Sequence, residues 1–139
     1  MRILYAPEVD PVILDSTWQL RATHAAIEQF LDSSEAILTV PARTDGNPAP
    51  YSEFLPSLQF VKCASHLLVE RTAAGDIRVT GSPELMKRWI QAFLCSGDQD
   101  HRHPEQEFDL EEHVFQDGSL FPYVQADDDY EKEGYAFNA

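Results

Sequence analysis

Apolar residues recur along this chain with two different periods, and each change of period marks an element. Residues 2–6 read as a short opening strand, stopped by Pro7 and Pro11. From Ser16 the spacing turns to threes and fours, with Leu20, Thr23, Ile27, Phe30 and Leu31 on one side and His24, Glu28 and Asp32 around them. That pattern predicts an amphipathic helix of roughly four turns, capped by Asp15 or Ser16. Residues 36–40 form the next short strand, ended by Pro41. Residues 42–57 hold Gly46, Asn47, Pro48, Pro50 and Pro56 and read as a long loop, with Tyr51, Phe54 and Leu55 tucking its far end onto the core.

The clearest local pattern follows. Residues 60–63 and 66–70 read as extended, Ala74-Gly75-Asp76 as a turn, and Ile77-Arg78-Val79-Thr80 alternates apolar with polar. Ser82, Pro83 and Glu84 then spell a helix start: an N-cap hydroxyl, a proline at the first position and an acid in the first turn. The helix predicted from there runs to about Cys95, buries Leu85, Met86, Trp89, Ile90, Phe93 and Leu94, and ends at Gly97. Beyond it come a polar stretch, a short strand around residues 112–115 and a turn at Asp117-Gly118-Ser119. A last strand over residues 120–125 belongs at a sheet edge, since Pro122 has no N–H to donate to a ladder. Residues 126–139 read as an acidic tail whose Tyr130, Tyr135 and Phe137 favour packing or docking. The expected fold is a single α+β domain over residues 1–139, a mostly antiparallel sheet with two principal helices packed on it.

Composition fits one folded body, because 43% apolar and 11% aromatic residues exceed what a disordered acidic chain carries. No apolar run approaches the roughly 18 residues of a membrane-spanning helix, and Pro7 interrupts the N-terminal apolar stretch too early for a signal-peptide core. These readings make the expected location cytoplasmic. Cys63 and Cys95 then read as reduced thiols serving as small apolar side chains.

Charge changes the picture more. The formal net charge is −14, and residues 98–139 supply −11 of it: thirteen acids against Arg102 and Lys132. Such a field repels nucleic acid and anionic membrane and attracts cationic partners. The candidate partner-binding residues are Asp98, Asp100, Glu105, Glu107, Asp109, Glu111 and Glu112 from the loop, and Asp127, Asp128, Asp129, Tyr130 and Glu131 from the tail. One binding surface results if loop and tail share a face; otherwise the charge serves solubility.

Specific chemistry is harder to find. His101 and His103, two apart on an extended segment, point the same way, and with His113 they make the alternative of a small metal- or ligand-binding enzyme. No recognised ligand framework surrounds them, so a solvated loop is the preferred reading. Glu105, Glu107, Glu111 and Glu112 are numerous, yet acid–base work needs one carboxyl held in an apolar pocket, and acids this dense read as a solvated face. Asp127-Asp128-Asp129 lacks the alternating ligands and turn glycine of a calcium loop. No nucleophile elbow and no phosphate-cradling glycine loop is present. Trp89 falls on the apolar face of its helix and reads as core; Trp18, at a helix start, suits either core or contact.

Across residues 60–125, Leu67-Leu68-Val69-Glu70, Ile77-Arg78-Val79-Thr80-Gly81-Ser82-Pro83-Glu84-Leu85, His101-Arg102-His103-Pro104 and the closing strand over residues 120–125 together resemble a family of bacterial immunity proteins. That family accompanies polymorphic or contact-dependent inhibition toxins, and in it a strand leads through a Gly-Ser step into a helix, a histidine-bearing loop and a last strand. The resemblance implies a non-enzymatic cytoplasmic protein, needing no cofactor, that binds and neutralises one cognate toxin domain. An acidic surface suits a basic, nuclease-like toxin, with Tyr123, Tyr130, Tyr135 and Phe137 as anchors. An acidic regulatory adaptor that docks a basic partner is a further alternative.

Overall fold

The computed structural model describes residues 1–130. Nine short strands form two mostly antiparallel sheets around one shared core, with two helices: an α+β domain, as the pattern predicts. The first sheet has the order β4-β1-β2-β9-β8, made of β1 (Arg2–Tyr5), β2 (Val12–Asp15), β4 (Glu53–Phe54), β8 (His101–Arg102) and β9 (Tyr123–Ala126). The second has the order β3-β5-β7-β6, made of β3 (Ile37–Pro41), β5 (Ser57–Lys62), β6 (Leu68–Arg71) and β7 (Ile77–Gly81). Each sheet contains one parallel pair, β2 with β9 and β5 with β7. No helix among the described residues is long and apolar enough to cross a membrane.

Helix α1 (Thr17–Leu31) starts where the cap pattern puts it, with the Ser16 hydroxyl accepting the Gln19 N–H at 3.4 Å. Its Leu20, Ile27, Phe30 and Leu31 are buried, and so is His24, whose protonation burial disfavours. The β6–β7 hairpin pairs Val69 with Val79 across a turn in which Gly75 has a φ of +96°, a conformation that favours glycine. Ser82 caps α2 (Pro83–Trp89), its hydroxyl accepting from Leu85 N at 3.2 Å.

Four expectations need correction. The second helix does not run evenly to Cys95: it tightens to a 3₁₀ turn over Ile90–Phe93, where three residues per turn align Ile90 with Phe93 against the core. Leu85 and Leu94 are only half-buried. The last strand is not an edge. It begins at Tyr123, after Pro122, so every residue in it can donate, and β2 and β8 flank it. Residues 112–115 yield a single bridge, Phe115 with Leu67, because Leu110–Glu112 coils into a 3₁₀ turn instead.

The proline loop is pinned at both ends: the Ala42 and Arg43 N–H groups bond to the Pro56 and Met1 carbonyls, while at the far end Leu55 is fully buried, β4 adds to the first sheet, and the Arg2 guanidinium lies 4.6 Å over Phe54. Both cysteines are free; Cys95 is buried, which pushes its thiol up to about 11, whereas Cys63 is half-buried with its Sγ 2.8 Å from Ser65 Oγ.

Gly81 is required by a close approach, since a Cβ there would lie 2.7 Å from Leu67 Cδ2. Leu67 is fully buried and cannot move aside, so Gly81→Ala is expected to destabilise by about 1–3 kcal/mol in denaturant titration. An unchanged midpoint would show that the neighbouring strand gives way freely.

Candidate functional site

The two acidic segments meet. After the Ile90–Phe93 turn the chain crosses to β8, and β8 pairs with β9 so that residues 96–101 run beside residues 125–129. Backbone bonds close the two together: Gln99 N–H to the Ala126 carbonyl at 2.9 Å, and Ala126 N–H to the Asp100 carbonyl at 2.8 Å. An Asp98 carboxylate oxygen accepts the Asp128 N–H at 2.8 Å. Asp100 accepts from the Ser96 backbone and hydroxyl at 2.7 and 3.1 Å, and the backbone bond above all holds its carboxyl below the usual range.

This junction sits at the start of α1. Asp127 N–H bonds to the Asp15 carbonyl, and an Asp128 carboxylate oxygen accepts the Thr17 N–H at 2.7 Å, placing a negative charge where the helix dipole favours one. Asp129 N–H turns back onto the Asp127 carboxylate at 3.1 Å. One residue on from Thr17, Trp18 is 57% exposed, the second most exposed large apolar side chain after Ile37 among the described residues. Trp18 is therefore not core. Asp127 and Asp128 thus sit at the α1 start, Asp98 and Asp100 are joined to that segment through Asp128 and Ala126, and the residue after Thr17 presents an indole to solvent.

The other loop acids are placed differently. Arg88, on α2, donates to both carboxylate oxygens of Glu112 at 2.9 and 2.8 Å and to the Glu107 carbonyl at 3.1 Å. Glu112 also accepts the Asp109 N–H at 2.6 Å, and the Arg88 bond leads in depressing its carboxyl. Arg102 bridges the Leu94 carbonyl and the Glu107 carboxylate at 2.9 and 2.6 Å. Glu107 and Glu112 therefore fold the loop, Asp109 caps the Leu110–Glu112 turn in a reciprocal pair with Glu112, and Glu111 faces solvent. Glu105 is half-buried, and burial raises its carboxyl above the ordinary range. Tyr130 closes the last described turn, and Glu131 lies outside the described residues, with Tyr135 and Phe137.

The histidines do not come together as ligands. His101 and His103 stack edge-on at 5.6 Å and both pack on Tyr123, at 6.1 and 5.3 Å. His113 has a φ of +50° and lines a cavity with Glu105 instead. Among the described residues no three His, Cys, Asp or Glu side chains converge to hold a metal ion. That cavity is also the feature that sequence reasoning missed: Phe108, Phe115 and Phe121 line it from three different segments of the chain.

Comparison with known proteins adds no relative: no family model, no curated protein and no solved structure matches this chain.

Proposed function

We propose that this protein is a binding module that neutralises a basic protein partner, as an immunity protein does a toxin domain, and that the junction beside α1 is its docking surface. The observation that carries this reading is the run of bonds from Asp98 to Asp128 and from Asp128 to Thr17, which brings both acidic segments to the α1 start one residue before exposed Trp18. Concentrated charge of one sign speeds encounter with an oppositely charged surface and rejects like-charged ones. An exposed indole within that field supplies the apolar anchor that charge alone does not, and tryptophan is enriched among residues that dominate binding energy. A nuclease-like toxin fits this chemistry, because its groove must be basic to hold phosphates. A toxin acting inside the cell places its inhibitor in the cytoplasm.

The test is affinity capture from the native host with wild type, Trp18→Ala and the pair Asp98→Asn and Asp129→Asn. Asp128 is left intact because it holds the α1 start. Wild type should retain one stoichiometric basic protein that arrests growth when expressed alone and not when co-expressed with this chain. Trp18→Ala should weaken binding about tenfold or more, and the Asn pair should slow association and flatten its salt dependence. No stoichiometric basic partner, or an on-rate unchanged by the Asn pair, would end this reading. A partner harmless on its own points to the adaptor alternative.

A further inference from the structure

The loop that Arg88 and Arg102 hold encloses a cavity of about 390 Å³, large enough for a small ligand or an inserted side chain. Its walls are aromatic. Phe115 meets Phe108 edge-on with centroids 5.5 Å apart and Phe121 at 5.4 Å, and Val114 completes the apolar lining. The walls are anchored on the second sheet: Leu67 N–H bonds to the Val114 carbonyl and Gln116 N–H to the Leu67 carbonyl, at 2.8 and 2.7 Å. Phe121, 38% exposed, is the wall open to solvent.

The polar members are Glu105, Asp109 and His113. Glu105 has one carboxylate oxygen, Oε1, shielded from solvent, while its side chain as a whole is 31% exposed. Its other oxygen lies 3.9 Å from His103 Nδ1. Arg88 does not pair with Glu105, for its guanidinium lies 4.4 Å over the Phe108 ring and is committed to both Glu112 oxygens.

We propose that this cavity receives a single cationic side chain, a lysine ammonium or an arginine guanidinium on its apolar stem. The three rings cover the stem, and the part-exposed Glu105 carboxylate provides the counter-charge. An anion meets Glu105 and Asp109 and is repelled; an uncharged apolar group gains nothing from those two charges. That the carrier is the basic partner rests on the functional reading above; the chemistry of the cavity does not.

The experiment is an NMR titration with Nα-acetyl-lysine amide and Nα-acetyl-arginine amide, with Nα-acetyl-norleucine amide as the uncharged counterpart. A charged probe should shift resonances of Phe108, Phe115 and Phe121 with a Kd on the order of 10 mM, and the norleucine probe should bind at least about fivefold more weakly. Glu105→Gln should abolish that preference, and Phe121→Ala, at a partly exposed wall, should weaken all probes without loss of fold. Norleucine binding as well as lysine, shifts confined to other surfaces, or no saturation at about 100 mM would each overturn the assignment. These results need no partner. Charge-selective binding alongside a failed capture experiment would therefore uphold the cavity and remove the functional reading, and the reverse pattern would do the opposite.

Discussion

Trp89→Ala is expected to cost about 3–5 kcal/mol of folding stability, read as a lowered denaturant midpoint at unchanged slope. Trp89 is 1% exposed and meets Phe60 of β5 edge-on at 6.0 Å and Phe93 at 6.4 Å. It therefore joins the second sheet to the Ile90–Phe93 turn, and that turn packs against β8 and β9 of the first. Removing the indole opens a void at the joint between sheets, where neither side can collapse without disturbing its own strand pairing. Trp89→Phe keeps much of the volume and should cost clearly less. The loss should reach the surface too, because the preceding residue, Arg88, anchors the loop that walls the aromatic cavity. A cost below about 1 kcal/mol would show that the core refills and that the two sheets are not coupled through this ring.

How far the sequence revealed this arrangement depends on how local each signal is. Helix α1 and the β6–β7 hairpin were legible because period, cap and turn residue all fall within a few positions, at Ser16 and Gly75. Strand β2 was not: it has four residues, follows two prolines, and is stabilised on one side by β9, more than a hundred positions away. The two-residue β8 exists only because β9 is there to pair with it. Pro122 misled for a related reason, since its missing N–H restricts only the strand that contains it, and β9 starts one residue later. The acidic charge was fully visible in composition, but its division was not. Arg88 lies 24 positions from Glu112, and Arg102, though only five from Glu107, stands among several acids with no helical register to pick its partner, while only tertiary structure brings residues 98–100 against 126–128. Trp18 was visible as either core or contact but its exposure was not, and Phe115 and Phe121 fell in two separate expected strands, so nothing local showed that they meet Phe108 around one cavity.

Asp15→Asn should cost a similar 3–5 kcal/mol near neutral pH, and that cost should shrink as pH rises. The Met1 ammonium lies 3.2 Å from the Asp15 carboxylate, with both groups all but excluded from solvent. Asparagine keeps an acceptor for the Ser16 N–H, which bonds to Asp15 at 2.9 Å, so the substitution removes charge and little else. It leaves a buried cation with no counter-charge, the costly half of a broken ion pair. The amine has one escape. Burial already lowers its pKa from the usual 8.0, with the Asp15 charge the principal opposing influence, and losing that charge lowers it further. A base whose folded pKa is depressed binds fewer protons folded than unfolded, so stability rises with pH up to the unfolded pKa. In the variant that window widens downward from about 8, and above it the neutral amine needs no partner. Unfolding titrations at pH 6 and pH 9 should therefore differ more for Asp15→Asn than for wild type. Equal penalties at both values would assign the loss to the neighbouring hydrogen bonds instead. The outcome bears on the proposed docking surface, because the Asp15 carbonyl accepts the Asp127 N–H and the α1 start it precedes carries Trp18. Partner affinity should accordingly fall in step with stability at pH 6 and recover at pH 9, whereas Trp18→Ala should lower affinity at both while leaving the fold intact.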